Sequence, residues 1–428
     1  MLCTPCTPPG PAAGPAVWGL RMGPPRRCPR PGTCKGVRFC RCHLPLIHVG
    51  QDEAAFKSHA LPKAIWIIGC VRGMRKKSDG IGLMASAFVD ETLFGFGTEL
   101  TAAQLATVNR YRAMLGKAAL TESPGRRFLD YGANKEGYWT SEHFMEQVHD
   151  VLDVFAVMMP DYQVMMQVDH SSGHAAKKEG ALNTNTMNSG PGGKQANLRP
   201  SCMTAGCLGP HPAVITFRDG TVVDCKLQVG DMQEFNFPLG EGGKPAVPFF
   251  DREPDDPAQY FGKAKGMKQV LFERGWWAPD TGGARCKPMN KGDMEVALAG
   301  LPDFMAETSA FEDSLNWCGH YGLLSPKGHP ELAGQGVEYC WGKAKQFYRR
   351  HNTMDNKTFK QRVIESMDTK EVLNMERVRK FARRARAYRN GYREPELAGS
   401  YLGIEKLVKR SKAHRCTLDQ AYSFIMNA

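Results

Sequence analysis

Short apolar runs of strand length alternate along this chain with stretches of helical spacing. PLIHVGQDEAAF (45–56) reads as a strand ending in Asp52-Glu53. KAIWIIGC and GIGLMASAFVDE follow as further strand-length runs, separated by the basic, Gly-containing turn RGMRKKSDG. Three successive strands predict an antiparallel meander. TAAQLATVNRYRAMLGK (101–117) has helical spacing, with Leu105, Val108 and Met114 among its apolar positions. SEHFMEQVHDVLDVFAVMM (141–159) is a stronger amphipathic helix, with Phe144, Val148, Val151, Leu152 and Phe155 on one face. Pro160 and Asp161 end it. YQVMMQVD is then apolar without alternation, the pattern of a strand buried on both faces. A helix leading into a buried strand is an α/β signature.

From about 180 to 300 the texture becomes rich in Gly, Asn and Pro, with one β-hairpin expected in AVITFRDGTVVDCKLQVG (213–230), turning at Asp219-Gly220. This stretch reads as an insertion rather than core. Residues 300–325 return to helix and strand, and from Val337 the pattern is mainly helical and basic. The expected division is a disordered Cys/Pro/Arg-rich leader (1–44), a first part of an α/β core (45–180), the insertion (181–300), the rest of the core (301–350) and a basic helical tail (351–428). A length of 428 residues suits two or three domains, or one core with a large insertion. No apolar run approaches the length of a membrane span, and the N-terminus lacks a signal peptide's apolar centre, so the reading is intracellular with no membrane partner.

Charge sharpens this picture. Residues 1–45 carry seven Lys/Arg and no acid, and residues 341–428 carry 21 Lys/Arg against nine Asp/Glu. The middle is acidic, with 28 against 35. A basic tail beside an acidic centre suits a polyanion-binding surface next to a metal-seeking site; a solvated helical face reads equally well. The 14 cysteines are scattered and do not suggest a disulfide framework. Cys28, Cys34, Cys40, Cys42 and His43 are grouped as a zinc module would be, but without the usual CxxC pairs.

The stretch QVDHSSGH (167–174) invites three chemical readings. A serine hydrolase fails, because no GxSxG elbow surrounds Ser171 or Ser172. Zinc on His170 and His174 has i, i+4 spacing but neither HExxH nor a third ligand. The third reading joins Asp169, at the end of its strand, with Asp52 and with Glu338, which opens the helix GVEYCWGKAKQFYRR. Such acids can converge on two Mg²⁺ or Mn²⁺ ions about 3.5–4 Å apart, activating a water or 3′-hydroxyl against a phosphodiester. On a regular helix Lys345 and Arg349 share the face of Glu338 and bring phosphate-binding charge beside it. Against this stands the plain alternative of caps and surface salt bridges, since 44 acids offer many trios.

HVGQDEAAF resembles the segment around the first catalytic aspartate of mariner-like DDE transposases, an Asp-Glu pair followed three residues on by Phe, here Asp52, Glu53 and Phe56. QVDHSSGH resembles their second motif, and SPKGHPELAGQGVEYCWGKAK their third, with Trp341 and Gly342 as packing landmarks. GIGLMASAF, GYWT, MNSGPGGKQANLR, GMKQVLFERG and ARAYRNGY are similar to stretches of a DDE endonuclease-like group from eukaryotic transposons, so the likeness runs from about 46 to 415. It implies a ribonuclease-H-like core, a mixed five-stranded sheet with helices on both faces. It also implies Asp52, Asp169 and Glu338 as ligands of two Mg²⁺ or Mn²⁺, supported by Glu53 and His174. The implied activity is DNA cleavage and strand transfer in the nucleus, acting on double-stranded transposon ends and target DNA, with a homodimer allowed. Lys194, in PGGKQ, and Lys345, Arg349, Arg379, Arg383 and Arg386 are the expected DNA contacts. Four departures separate this chain from the family. AGQG replaces an Asn-Pro pair ahead of Glu338 and is two residues longer, which predicts a displaced Glu338. Asp169 and Glu338 are 169 residues apart, as the insertion requires; Ala87 stands at an acidic position; and no helix-turn-helix precedes Asp52. They make a truncated or degenerate member, or a catalytically inactive transposon-derived DNA-binding protein, the alternative expectation.

Overall fold

The computed structural model describes residues 44–60, 78–217, 220–239, 248–250, 257–277, 289–397 and 400–410. The N-terminal cysteine group, KAIWIIGC with most of the turn after it, Asp219 and the tail beyond 410 lie outside them. The chain forms two compact units, one from Met1–Ala175 with Phe311–Ala428 and the other from Ala176–Ala310.

The first unit is built on a mixed sheet. Its strands are β1 (Leu46–Lys57), β2 (Gly82–Asp90), β3 (Gly95–Phe96), β4 (Arg126–Leu129), β5 (Gln163–Val168) and β6 (Tyr321–Leu324). Their order is β6-β5-β1-β2-β3, with β4 also pairing β2, so the sheet has six strands rather than five. β1 and β2 run antiparallel from Gly50 opposite Val89 to Lys57 opposite Gly82. β5 runs parallel to β1, and β6 parallel to β5. β1 does not end at Asp52-Glu53: the alternation continues through Ala54 and Phe56, and β2 holds the strand to Lys57. The β5 ladder, by contrast, stops at Gly50 opposite Gln167. Asp52 therefore sits in a strand that has just lost one of its two neighbours.

Alternation along β1 sends successive side chains to opposite faces of the sheet. Ile47 and Val49 meet Phe144, Val148, Val151 and Phe155 of the helix α2 (Ser141–Met158), together with Phe311 and Leu315 of α3 (Ala310–Trp317). Ala54 and Phe56 meet the other layer: Val337, Cys340, Trp341 and Tyr348 of α4 (Val337–His351), Phe359 and Val363 of α5 (Phe359–Glu365), and Val378 of α6 (Met375–Arg393). α7 (Tyr401–Arg410) adds a smaller cluster through Ile404 and Leu407 against Tyr388. Each large side chain so buried contributes about 1.5–3 kcal/mol. The helix expected at 101–117 forms as α1 (Ala102–Met114), but Met114 is 78% exposed. α1 instead docks through Val108 and through Arg112, whose guanidinium pairs with Asp150 at 2.5 Å and Asp153 at 2.7 Å on α2.

The second unit has a core of its own, with Leu182, Met187, Phe235, Met267, Leu271, Met294 and Leu298 among its members. The expected hairpin forms between Val214–Thr216 and Val222–Asp224. Arg274, fully buried, pairs with Asp303 at 2.8 Å, and Lys265 with Glu273 at 2.9 Å. The unit begins and ends at one place, where the Ala310 N–H donates to the Ala176 carbonyl at 2.8 Å.

Candidate active site

The end of the β5 ladder opens a pocket of about 200 Å³ in the first unit, lined by Asp52, Asp169, Glu338, His170, Gln51 and the loop Ser325–Pro330. The three carboxylates arrive by different routes. Asp52 comes from mid-β1, opposite Ala87; Asp169 follows β5 directly; Glu338 lies in the first turn of α4. AGQG does not carry Glu338 away from the other two acids. It forms a tight turn against the sheet that sets where α4 begins. A Cβ placed on Gly50 would lie 1.9 Å from the Gly334 carbonyl oxygen, so two backbones touch here. Gln335 holds φ 55°, and its side-chain amide donates to the His48 carbonyl at 2.6 Å. Gly336, at φ 69°, lies against the backbone of Phe381, where a Cβ would come within 2.5 Å of its carbonyl oxygen. Gln167 completes the support, donating to Ser325 Oγ and to the Leu332 carbonyl, each at 2.9 Å.

The electrostatics follow from these positions. Burial, then the charges of Glu338 and Glu53, raise the Asp52 carboxyl well above its ordinary range, and Asp169 adds to the effect. Burial also raises Glu338, with Lys345 opposing and Asp169 assisting. Partial burial pushes Asp169 upward too, but His174 and Ser171 outweigh it and hold this carboxyl below the usual range. The His174 ring donates from Nδ1 to Asp169 at 2.5 Å, has Nε2 3.4 Å from Glu53, and lies against Phe144 with centroids 4.1 Å apart. Burial would lower the pKa of this imidazole, yet the two carboxylates lift it to about 9. Both its nitrogens are thus committed to carboxylates, which removes it from any zinc pair with His170.

Of the expected basic residues, Lys345 belongs to the site. Its ammonium stands 5.9 Å over the Phe56 ring; burial lowers its pKa, while Glu338 and Asp52 favour its charge and Arg349 opposes it. Phe56 and Trp341 meet edge to face at 6.3 Å, so these two landmarks of the first and third motifs share one cluster, whereas Gly342 is exposed and packs against nothing. Arg386 is not a free phosphate contact: it pairs with Glu91, whose backbone carbonyl also accepts from Arg379 Nε at 3.1 Å. Arg383 is exposed on α6. Lys194 is exposed in the second unit. Sequence reasoning passed over Gly50 and Gln167, and took the loop after β6 and Gln335 only as parts of the third motif, without a role of their own. A glycine inside a strand was the available signal, since it marks close backbone approach.

Among the described residues, no three His, Cys, Asp or Glu side chains are arranged to hold one metal ion. No helix among them is long and apolar enough to cross a membrane. Comparisons with protein families, curated proteins and solved structures found no match to this chain.

Proposed function

We propose that the first unit is a divalent-metal-dependent DNA-cutting core of the DDE-transposase kind. In its full form it would also join a DNA 3′-hydroxyl to a target strand. The observation that carries this reading is the meeting of Asp52, Asp169 and Glu338, far apart in sequence, around one pocket. Strand order supports a ribonuclease-H-like core: an antiparallel β1-β2 pair on one side, with parallel β5 and β6 on the other. The donor set fits hard cations, which take oxygen ligands. The raised Asp52 carboxyl marks a local excess of negative charge that such ions would relieve. Asp52, Asp169 and Glu338 would hold Mg²⁺ or Mn²⁺, which supplies Lewis-acid polarisation of the phosphodiester and a more acidic water.

The chain's own residues do the rest. His174 holds Asp169 and Glu53 in place. Lys345 and Arg349 stand on the Glu338 helix as phosphate-binding charge, giving affinity without sequence specificity. Nuclear localisation, double-stranded DNA as partner and a homodimer accompany this reading.

A second reading, a catalytically inactive transposon-derived DNA-binding protein, is favoured by one observation: Asp169 is tied to His174 at 2.5 Å. Nicking of supercoiled plasmid DNA in Mg²⁺ or Mn²⁺ separates the two. The first reading expects nicking that Asp169→Ala abolishes. Equal activity in both proteins sinks the catalytic assignment, and a gel shift without nicking selects the second reading.

A further inference from the structure

The loop after β6 brings a second chemistry to the same pocket. Ser325, Pro326, Lys327, Gly328, His329 and Pro330 all line it beside the three carboxylates. One of these side chains is held by a network reaching into α6. His329 Nδ1 donates to Glu331 Oε1 at 2.8 Å. The same oxygen accepts from the Tyr392 hydroxyl at 2.6 Å, and that hydroxyl lies 3.2 Å from His329 Nδ1. The His329 and Tyr392 rings meet edge to face at 5.2 Å. Partial burial pushes Glu331 upward, but Tyr392 and His329 outweigh it and hold this carboxyl below its usual range, so it stays an acceptor.

A carboxylate on Nδ1 fixes both the tautomer and the plane of an imidazole and leaves Nε2 as its lone-pair nitrogen. It is the orientation that turns histidine into a proton acceptor for a neighbouring hydroxyl. Nothing in the carboxylate trio uses His329, and a simple surface loop does not require a tyrosine from another element to hold one of its side chains.

We propose that His329 is the proton acceptor for the attacking hydroxyl, with Glu331 and Tyr392 as its positioning residues. This rests on the phosphodiester-cleavage reading of the pocket. The O–H bond of the attacking water breaks and its proton goes to Nε2, while the water oxygen forms a new bond to phosphorus. The phosphorus–oxygen bond to the leaving oxygen breaks with its electron pair, and that oxygen takes a proton from solvent. Nothing is oxidised or reduced.

The test is plasmid nicking in Mn²⁺ by the full chain and by His329→Ala, His329→Gln, Glu331→Gln and Tyr392→Phe, with a DNA gel shift and circular dichroism on each. His329→Ala is expected to lose about 10²-fold or more in rate, within the range for a positioned base, and to regain part of it in added imidazole. Glu331→Gln and Tyr392→Phe are expected to lose less and to gain nothing from imidazole, because the native ring remains in place. If His329→Ala fails to fold, His329→Gln carries the same expectation of loss. Wild-type nicking with both His329 variants at wild-type rate, or a loss that imidazole does not restore, overturns the inference while leaving the cleavage reading intact. Absence of nicking by the wild-type protein overturns both.

Discussion

Gly50→Ala is the sharpest perturbation the structure offers, because it adds one methyl group at a known place. Gly50 lies in regular strand with no positive φ, so alanine meets no backbone objection there. The added Cβ would lie 1.9 Å from the Gly334 oxygen, 2.3 Å from its carbonyl carbon and 2.9 Å from its Cα. All three are backbone atoms, so no flexible side-chain end can swing away. To recover an ordinary contact near 3.4 Å the 333–336 turn must retreat by about 1.5 Å. That turn is also pinned from behind by Phe381 and through Gln335 to His48, so the strain spreads instead of relaxing. Overpacking of this kind costs about 1–3 kcal/mol. It also shifts the start of α4, and a displacement of about 1 Å at a catalytic group lowers rates by about 10²-fold.

Urea unfolding followed by circular dichroism reads the first effect, and Mn²⁺-dependent nicking the second. Gly342→Ala is the matched control: this glycine lies in α4 with nothing within 4 Å of its Cβ position, so alanine should stabilise the helix by about 0.5–1 kcal/mol. Gly50→Ala with an unchanged midpoint and unchanged nicking would falsify the claim that the Gly50–Gly334 crossing positions Glu338.

Asp52→Asn removes a buried carboxyl whose folded-state pKa is raised. Such a group favours the fold below its unfolded pKa, near 4, and that stability is lost as pH rises through the folded value. Wild-type melting temperature should therefore fall above pH 4 more steeply than that of Asp52→Asn, while Asp52→Asn loses nicking; parallel stability curves would contradict this. His174, lifted to about 9, contributes stability that is complete below pH 6.5 and lost between 6.5 and 9. His174→Gln should cost about 1.5–3 kcal/mol at pH 6 and clearly less at pH 9.5, measured by urea unfolding at both values. Mn²⁺ should raise the melting temperature of the wild-type protein, as any ligand of the folded state does. The shift should shrink in Glu338→Gln; the same shift in both proteins would place the ion elsewhere.

Much of this architecture could be read from apolar spacing. The stripe of Phe144, Val148, Val151 and Phe155 sits on the sheet as its helical period requires, and the unbroken run VMMQV is a strand with neighbours on both sides. What escaped were contacts whose logic is not periodic. Met114 fitted a helical stripe, yet α1 is fastened by Arg112 to two carboxylates, and an ion pair leaves no repeating mark. Arg386 belonged to a plausible basic face until Glu91, nearly 300 residues earlier, claimed it. The replacement of Asn-Pro by AGQG looked like a displacement of Glu338, because spacing counts residues and not the direction of the chain. Two left-handed residues in succession, Gln335 and Gly336, fold the extra length into a turn.

The hydrogen bond between Ala310 and Ala176 has a consequence for how the chain assembles on the ribosome. β5 emerges long before β6, its parallel partner, because the whole second unit is synthesised between them. Closing so long a loop as random coil would slow nucleation of the β5-β6 pair. Domains tend to fold as they are made, and a unit whose ends meet shortens the tether once it has folded. The waiting edge of β5 is then tethered to its partner only through the stretches from Val168 to Ala176 and from Ala310 to Tyr321. On this view the insertion acts during synthesis as a clamp on chain entropy, and Glu338 is delivered to an already prepared strand end.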